Sequence, residues 1–288
     1  MTTEARVPRK QPTARQQRLG RELRRLREAA GLTARQAAEL LGTISVTMSQ
    51  IESGVAGVSE ARLRGMAAQY ACADPELIDA LVDMAKDRTV GWWEEYRGVL
   101  PSTFLDLAEF EHHARSIQVV GTSHVPGLLQ TEDYARAVFS YWVPEFMAGE
   151  LEPRVEHRLR RKNVITQDRA VGYEAVIHES VLRTRVADRS VARAQLRELL
   201  RQSERSNVTV RVIPFDTDGF AGASAALLYL GGPVATLDTV QRDTPYGTAF
   251  LDEPSQLHTM GTLFRKVKSA SLPAAKSRDF IHRLAKEL

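Results

Sequence analysis

The feature that most limits what this chain can fold into is GLTARQAAELLGTISVTMSQIESG, residues 31–54. Glycines at 31, 42 and 54 punctuate it into two short helices, 34–41 and about 45–53, joined by a tight turn. A helix-turn-helix needs a small residue where its helices cross, a turn residue that tolerates positive φ, and apolar anchors on the second helix. Ala38, Gly42 and the pair Met48 and Ile51 meet these needs. With Met48 and Ile51 facing inward, Ser45, Val46, Thr47, Ser49 and Gln50 turn outward. Their hydroxyls and amide suit base edges, and Val46 suits a thymine methyl. Spacing alone also fits an ordinary helical hairpin whose outer face is merely solvated.

Flanking segments extend the helical pattern. Leu19, Leu23, Leu26 and Ala30 fall four, three and four apart, one stripe of a helix over 15–30, with Arg18, Arg21, Arg24, Arg25 and Arg27 on its other faces. Thr33 is placed to cap the second helix, and Ser59 a fourth that runs through Tyr70. Asp74-Pro75 opens a fifth, to about Lys86. Charge divides along the chain. Residues 1–72 hold 12 basic and 6 acidic side chains, whereas 73–111 hold 3 basic and 10 acidic. An anionic partner would therefore meet the head.

Beyond residue 90 the period changes. Helices are expected at 103–120, 131–142, 152–167, 190–204, 253–268 and 273–287. Strands are expected at 172–178 and 208–215, with a hairpin pivoting at Gly231-Gly232-Pro233. Trp92 and Trp93 are read as packing at a domain junction, with a ligand cage as the alternative. The run Arg158, Arg160, Arg161, Lys162 is read as a solvated face. Tyr134 and Arg136 fit helix packing and a solvated charge as well as they fit a site.

Several function classes lack their residues. One cysteine, Cys72, excludes an internal disulfide framework and fits a reducing compartment. No long apolar run suits a membrane span, and the basic start has no apolar core behind it. His112 and His113 are adjacent, so a helix splays them apart, and no metal-ligand spacing occurs. GTSHV around Ser123 and His124 lacks the second glycine of a nucleophile elbow. No catalytic residue, metal or cofactor is expected, and the chain is not read as an enzyme.

The quoted stretch has a known relative. Leu23-Arg24, Arg27, Gly31-Leu32-Thr33, Ala38, Leu41-Gly42, Ser49, Ile51-Glu52 and Gly54 make residues 16–72 resemble the Xre-type helix-turn-helix of phage repressors. The resemblance implies double-stranded DNA as partner and an Arg27–Glu52 ion pair. It assigns DNA contact to Arg18, Thr33, Arg35, Thr43, Ser45, Val46, Thr47, Ser49 and Gln50. There are departures from the pattern. Ala34 stands where a glutamine is usual. Ile44 replaces a capping Ser or Thr, so Thr43 or Ser45 must take over. Gln50 stands where Arg is frequent, and 55–58 is the neutral VAGV. These imply modest affinity from one head, offset by Arg9, Lys10, Arg15 and Arg18.

VPGLLQTEDYARAV (125–138), with HRLRRKNVI, IHESVLRTRV, QLRELL and NVTVRVIPF, resembles the C-terminal domain of the actinobacterial WhiJ-like regulators over about 92–287. That resemblance implies a cytoplasmic, nucleoid-associated transcriptional regulator, and a small partner protein encoded nearby. Such proteins are also described as antitoxin-like, binding the partner and autoregulating their operon. A homodimer is expected, because one head without a glutamine at 34, an arginine at 50 or a basic loop at 55–58 makes few phosphate contacts. The expected architecture is mainly α with α+β. A disordered basic arm (1–14) precedes a five-helix, lambda-repressor-like DNA-binding domain (15–88). An α+β effector- or partner-binding domain with a small sheet (89–288) follows.

Overall fold

The computed structural model describes residues 11–142, 149–167, 170–222, 226–244 and 247–288. Residues 1–10, with Arg9 and Lys10 of the expected arm, lie outside these, as do Ser224 and Ala225 of the expected hairpin. The chain forms two compact units, Met1–Val90 and Gly91–Leu288. It is mainly α, with an α+β second unit.

The first unit is five helices: α1 (Ala14–Ala29), α2 (Ala34–Leu40), α3 (Ser45–Glu52), α4 (Glu60–Gln69) and α5 (Pro75–Lys86). Polar capping sets the starts of α1 and α2. The Thr13 and Thr33 hydroxyls accept from the amides of Gln16 and Gln36, whose side chains return to the threonine amides. Such a cap at Thr13 leaves the expected arm shorter than residue 14. Gly42 takes φ +60° in the turn, a conformation that costs a side-chain-bearing residue about 1–2 kcal/mol. Ala38, Met48, Ile51, Leu63, Met66 and Leu81 form the core.

One expectation about α1 is corrected. Its buried residues are Arg18, Gly20, Glu22, Leu23 and Arg27. Leu19 and Leu26 are only half-buried and Ala30 is exposed. The apolar stripe is thus interrupted by charges that are neutralised in place. Arg18 donates to Glu22 at 2.7 Å, and Arg25 donates to the same carboxylate at 3.1 Å.

The second unit is built on a six-stranded mixed sheet, order β3-β2-β1-β4-β5-β6. Its strands are β1 (Ser116–Gly121), β2 (Gly172–His178), β3 (Val208–Ile213), β4 (Leu227–Gly231), β5 (Thr239–Thr244) and β6 (Gly247–Leu251). β1, β2 and β3 are parallel, and β4, β5 and β6 continue antiparallel from β1. Helices α6 (Ser102–His113), α7 (Glu132–Trp142), α8 (Leu151–Arg161), α9 (Asn163–Thr166), α10 (Glu179–Arg183), α11 (Arg189–Gln202), α12 (Pro254–Ser269) and α13 (Ala274–Glu287) surround it.

The helix expected over 103–120 divides into α6 and β1. SIQVVG is a short strand that alternates only over Ser116, Ile117, Gln118 and Val119 before Val120 is buried on the other face, too brief a pattern to separate from the helix before it. β6 lies outside the sequence expectation. The hairpin turn is longer than Gly231-Gly232-Pro233, since a 3-10 turn at Ala235–Leu237 intervenes before β5.

Candidate nucleic-acid interface

α3 is anchored from beneath. Met48 and Ile51 are buried, and the carboxylate of Glu52 at the end of the helix accepts from Arg27 at 2.6 Å and 2.9 Å. The third guanidinium nitrogen of Arg27 donates to the carbonyl of Leu32 at 2.6 Å, which ties the loop before α2 into the same joint. Both side chains are under a tenth exposed, 7% and 8%. The hydrogen bonds it donates to Glu52 hold the Arg27 pKa above its ordinary value. Tyr70, buried alongside, has its phenol pushed up to about 12, first by burial and then by the Glu52 charge.

Outward, Ser45, Val46 and Ser49 are exposed, and Thr47 and Gln50 are half-exposed. No hydroxyl of Ser45, Thr47 or Ser49, and neither end of the Gln50 amide, is hydrogen-bonded among the described residues. Thr33 is exposed, with its hydroxyl engaged in the α2 cap, and Thr43 is half-exposed in the turn. Arg35 is exposed beside Glu39, 3.0 Å away, an i,i+4 pair of small worth.

Three expectations fail on geometry. Neither Thr43 nor Ser45 caps α3: Ile44 is the N-cap residue, and no side chain bonds the first-turn amides. Arg18 is withdrawn as a phosphate contact, being 1% exposed and bound to Glu22. Arg15, offered as a compensating cation, is 3.1 Å from Asp87. Sequence reasoning missed the signal for both arginines: acidic residues four positions after Arg18 and at the end of α5.

In the second unit, the basic run of α8 is no solvated face. Arg161 forms a buried two-fold pair with Glu111, at 2.6 Å and 2.8 Å. Arg160 pairs with Glu95 and lies over the Trp92 ring. Arg158 lies over Phe139 and donates to Gln130, and Lys162 reaches Glu198. His157 is fully buried against Trp92, Tyr96 and Phe104. Trp92 and Trp93 thus pack inside this unit.

The distinctive VPGLLQT segment binds itself in place. The Gln130 amide donates to the Val125 carbonyl, the Val125 amide donates to the Tyr134 hydroxyl, and Gln195 bridges Leu129 and Thr131. Arg136 lies between Glu132 and Glu152. A crevice of about 430 Å³ opens beside α12 and β4, lined by Gln118, Tyr229, Asp238, Arg265 and Lys268 among others.

A buried joint beneath a short helix with a free, partly polar outer face is the arrangement of a helix-turn-helix. A helix-turn-helix domain family matches residues 18–81, and with that match the arrangement makes the chain a helix-turn-helix DNA-binding regulator. The chain belongs to the family described as a domain of unknown function (DUF5753), which matches residues 104–283. No curated protein and no solved structure matches it.

Proposed function

We propose that the protein is a sequence-specific transcriptional regulator that works as a dimer on the nucleoid, in the manner of the WhiJ-like regulators it resembles. α3 lies in the major groove, with Ser45, Val46, Thr47, Ser49 and Gln50 reading bases and Thr33, Arg35 and Thr43 against the backbone. The second domain carries assembly and receives an effector or partner. The crevice at Gln118, Arg265 and Lys268 is the natural place for a small polar effector.

The observation that carries this reading is the outer face of α3, whose polar groups are unengaged while its inner face is locked by Arg27 and Glu52. Selection of the intact protein on random duplexes tests it. A defined operator should emerge, and Gln50→Ala should relax one base position by about 1–3 kcal/mol. Wild-type binding by alanine variants at all five reading positions would place the read-head elsewhere.

A further inference from the structure

From Gln36 to Ala61 the chain has no lysine or arginine, while Glu39, Glu52 and Glu60 fall within it. The whole recognition segment therefore lacks the side chains that commonly read guanine through O6 and N7. Beside its uncharged polar groups it exposes apolar ones. Ile44 is 65% exposed and Val46 61%, with Leu40 and Val55 also exposed nearby in sequence. At the start of a recognition helix, exposed branched aliphatic groups are apolar contacts open to a partner.

The arrangement around them favours DNA over another protein. Ile44 is the N-cap of α3, and Val46 sits in the first turn, the end of a recognition helix that meets base edges. Val46 and Gln50 are four apart, as are Ser45 and Ser49, so a mixed apolar and amide row runs beside a hydroxyl row along one face. A protein interface core concentrates aromatic, Met and Arg side chains, none of which stands on this face. A glutamine amide matches adenine N6 and N7, and an aliphatic side chain matches the thymine C5-methyl.

Resting on the DNA-reading function above, we propose that Ile44 and Val46 read thymine methyl groups, so that the operator half-site is set by A·T pairs. Ile44 replaces a capping residue because its side chain faces the groove, not the helix end. Both side chains project away from the core, so truncating them leaves the fold intact, which a thermal melt verifies.

The test uses the intact protein and its selected duplex at fixed salt, with each thymine replaced singly by uracil, which removes only the methyl. Affinity should fall about fourfold at each thymine whose methyl packs against Ile44 or Val46. Val46→Ala and Ile44→Ala should each abolish the thymine–uracil difference at one position. If a duplex fully substituted with uracil binds as tightly as the thymine duplex, the inference fails while DNA reading stands. Discrimination that survives in the Ile44→Ala/Val46→Ala double variant also overturns it. Failure to select any duplex overturns DNA reading and this inference together.

Discussion

Gly20 in α1 passes so near Glu52 that a Cβ at position 20 would lie 2.5 Å from the Glu52 carbonyl oxygen and 2.7 Å from that of Ile51. The neighbours are backbone atoms at the end of α3, so they cannot swing aside. Gly20→Ala should therefore destabilise the first unit by about 1–3 kcal/mol, although alanine is the better helix former. Gly65, in the interior of α4, meets nothing within 4 Å, and Gly65→Ala should stabilise by up to about 1 kcal/mol. Denaturant midpoints of the two variants should move in opposite directions. A midpoint that does not fall for Gly20→Ala would show that α1 and α3 can separate at little cost.

The same crossing holds the Arg27–Glu52 pair. Removing one partner leaves a charge stranded in a site under a tenth exposed, so Arg27→Ala or Glu52→Ala should each cost about 3–5 kcal/mol. Replacing both, as Arg27→Met with Glu52→Leu, should recover most of that loss, because desolvation of the two ions disappears with them. Additive losses in the double variant would mean that the site is wet.

Residue spacing made the helix-turn-helix readable, because glycine punctuation and one small crossing residue are local signals. The pair Arg27–Glu52 was legible only through resemblance, since 25 positions separate its members. α1 misled because its buried face is charged, and a stripe rule counts only apolar residues. β1 misled because its alternation, Ser116-Ile117-Gln118-Val119, is too short to stand out, and Ala114 breaks the preceding helix without a glycine or proline. The basic run of α8 misled most. Arg158, Arg160 and Arg161 find partners on Gln130, Glu95 and Glu111, distant segments that composition does not connect.

His157 makes the second unit sensitive to acid. Burial first, and then the charges of Arg161, Arg158 and Arg160, lower its pKa to about 3. The unfolded chain titrates near 6.5, so below that value the unfolded state takes up a proton that the folded state refuses. Stability is then complete above about pH 6.5 and is lost as pH falls toward 3, by at most about 1.4 kcal/mol per pH unit. His157→Phe would keep a ring among Trp92, Tyr96 and Phe104 and flatten this part of the profile. Unfolding followed by tryptophan fluorescence from pH 7 to pH 4 should show the difference. Parallel profiles for variant and wild type would assign the acid sensitivity to other groups.

Assembly is the remaining expectation, and the fate of the arginines strengthens it. Arg18 is buried on Glu22 and Arg15 is bound to Asp87, so neither is placed for phosphate. With no lysine or arginine between Arg35 and Arg62, a single head makes few phosphate contacts, and those contacts supply most non-specific affinity. Joining two heads through the second domain makes the second engagement intramolecular, at an effective concentration of order millimolar. Half-sites should lie about 34–36 Å apart or at a multiple of that distance. A fragment of residues 1–90 should accordingly bind the selected operator at least tenfold more weakly than the full chain at matched salt, on the order expected for loss of avidity. Sedimentation of the full chain with a two-site duplex should give two chains per duplex. Equal affinity for fragment and full chain, or one chain per duplex, would show that a single head suffices.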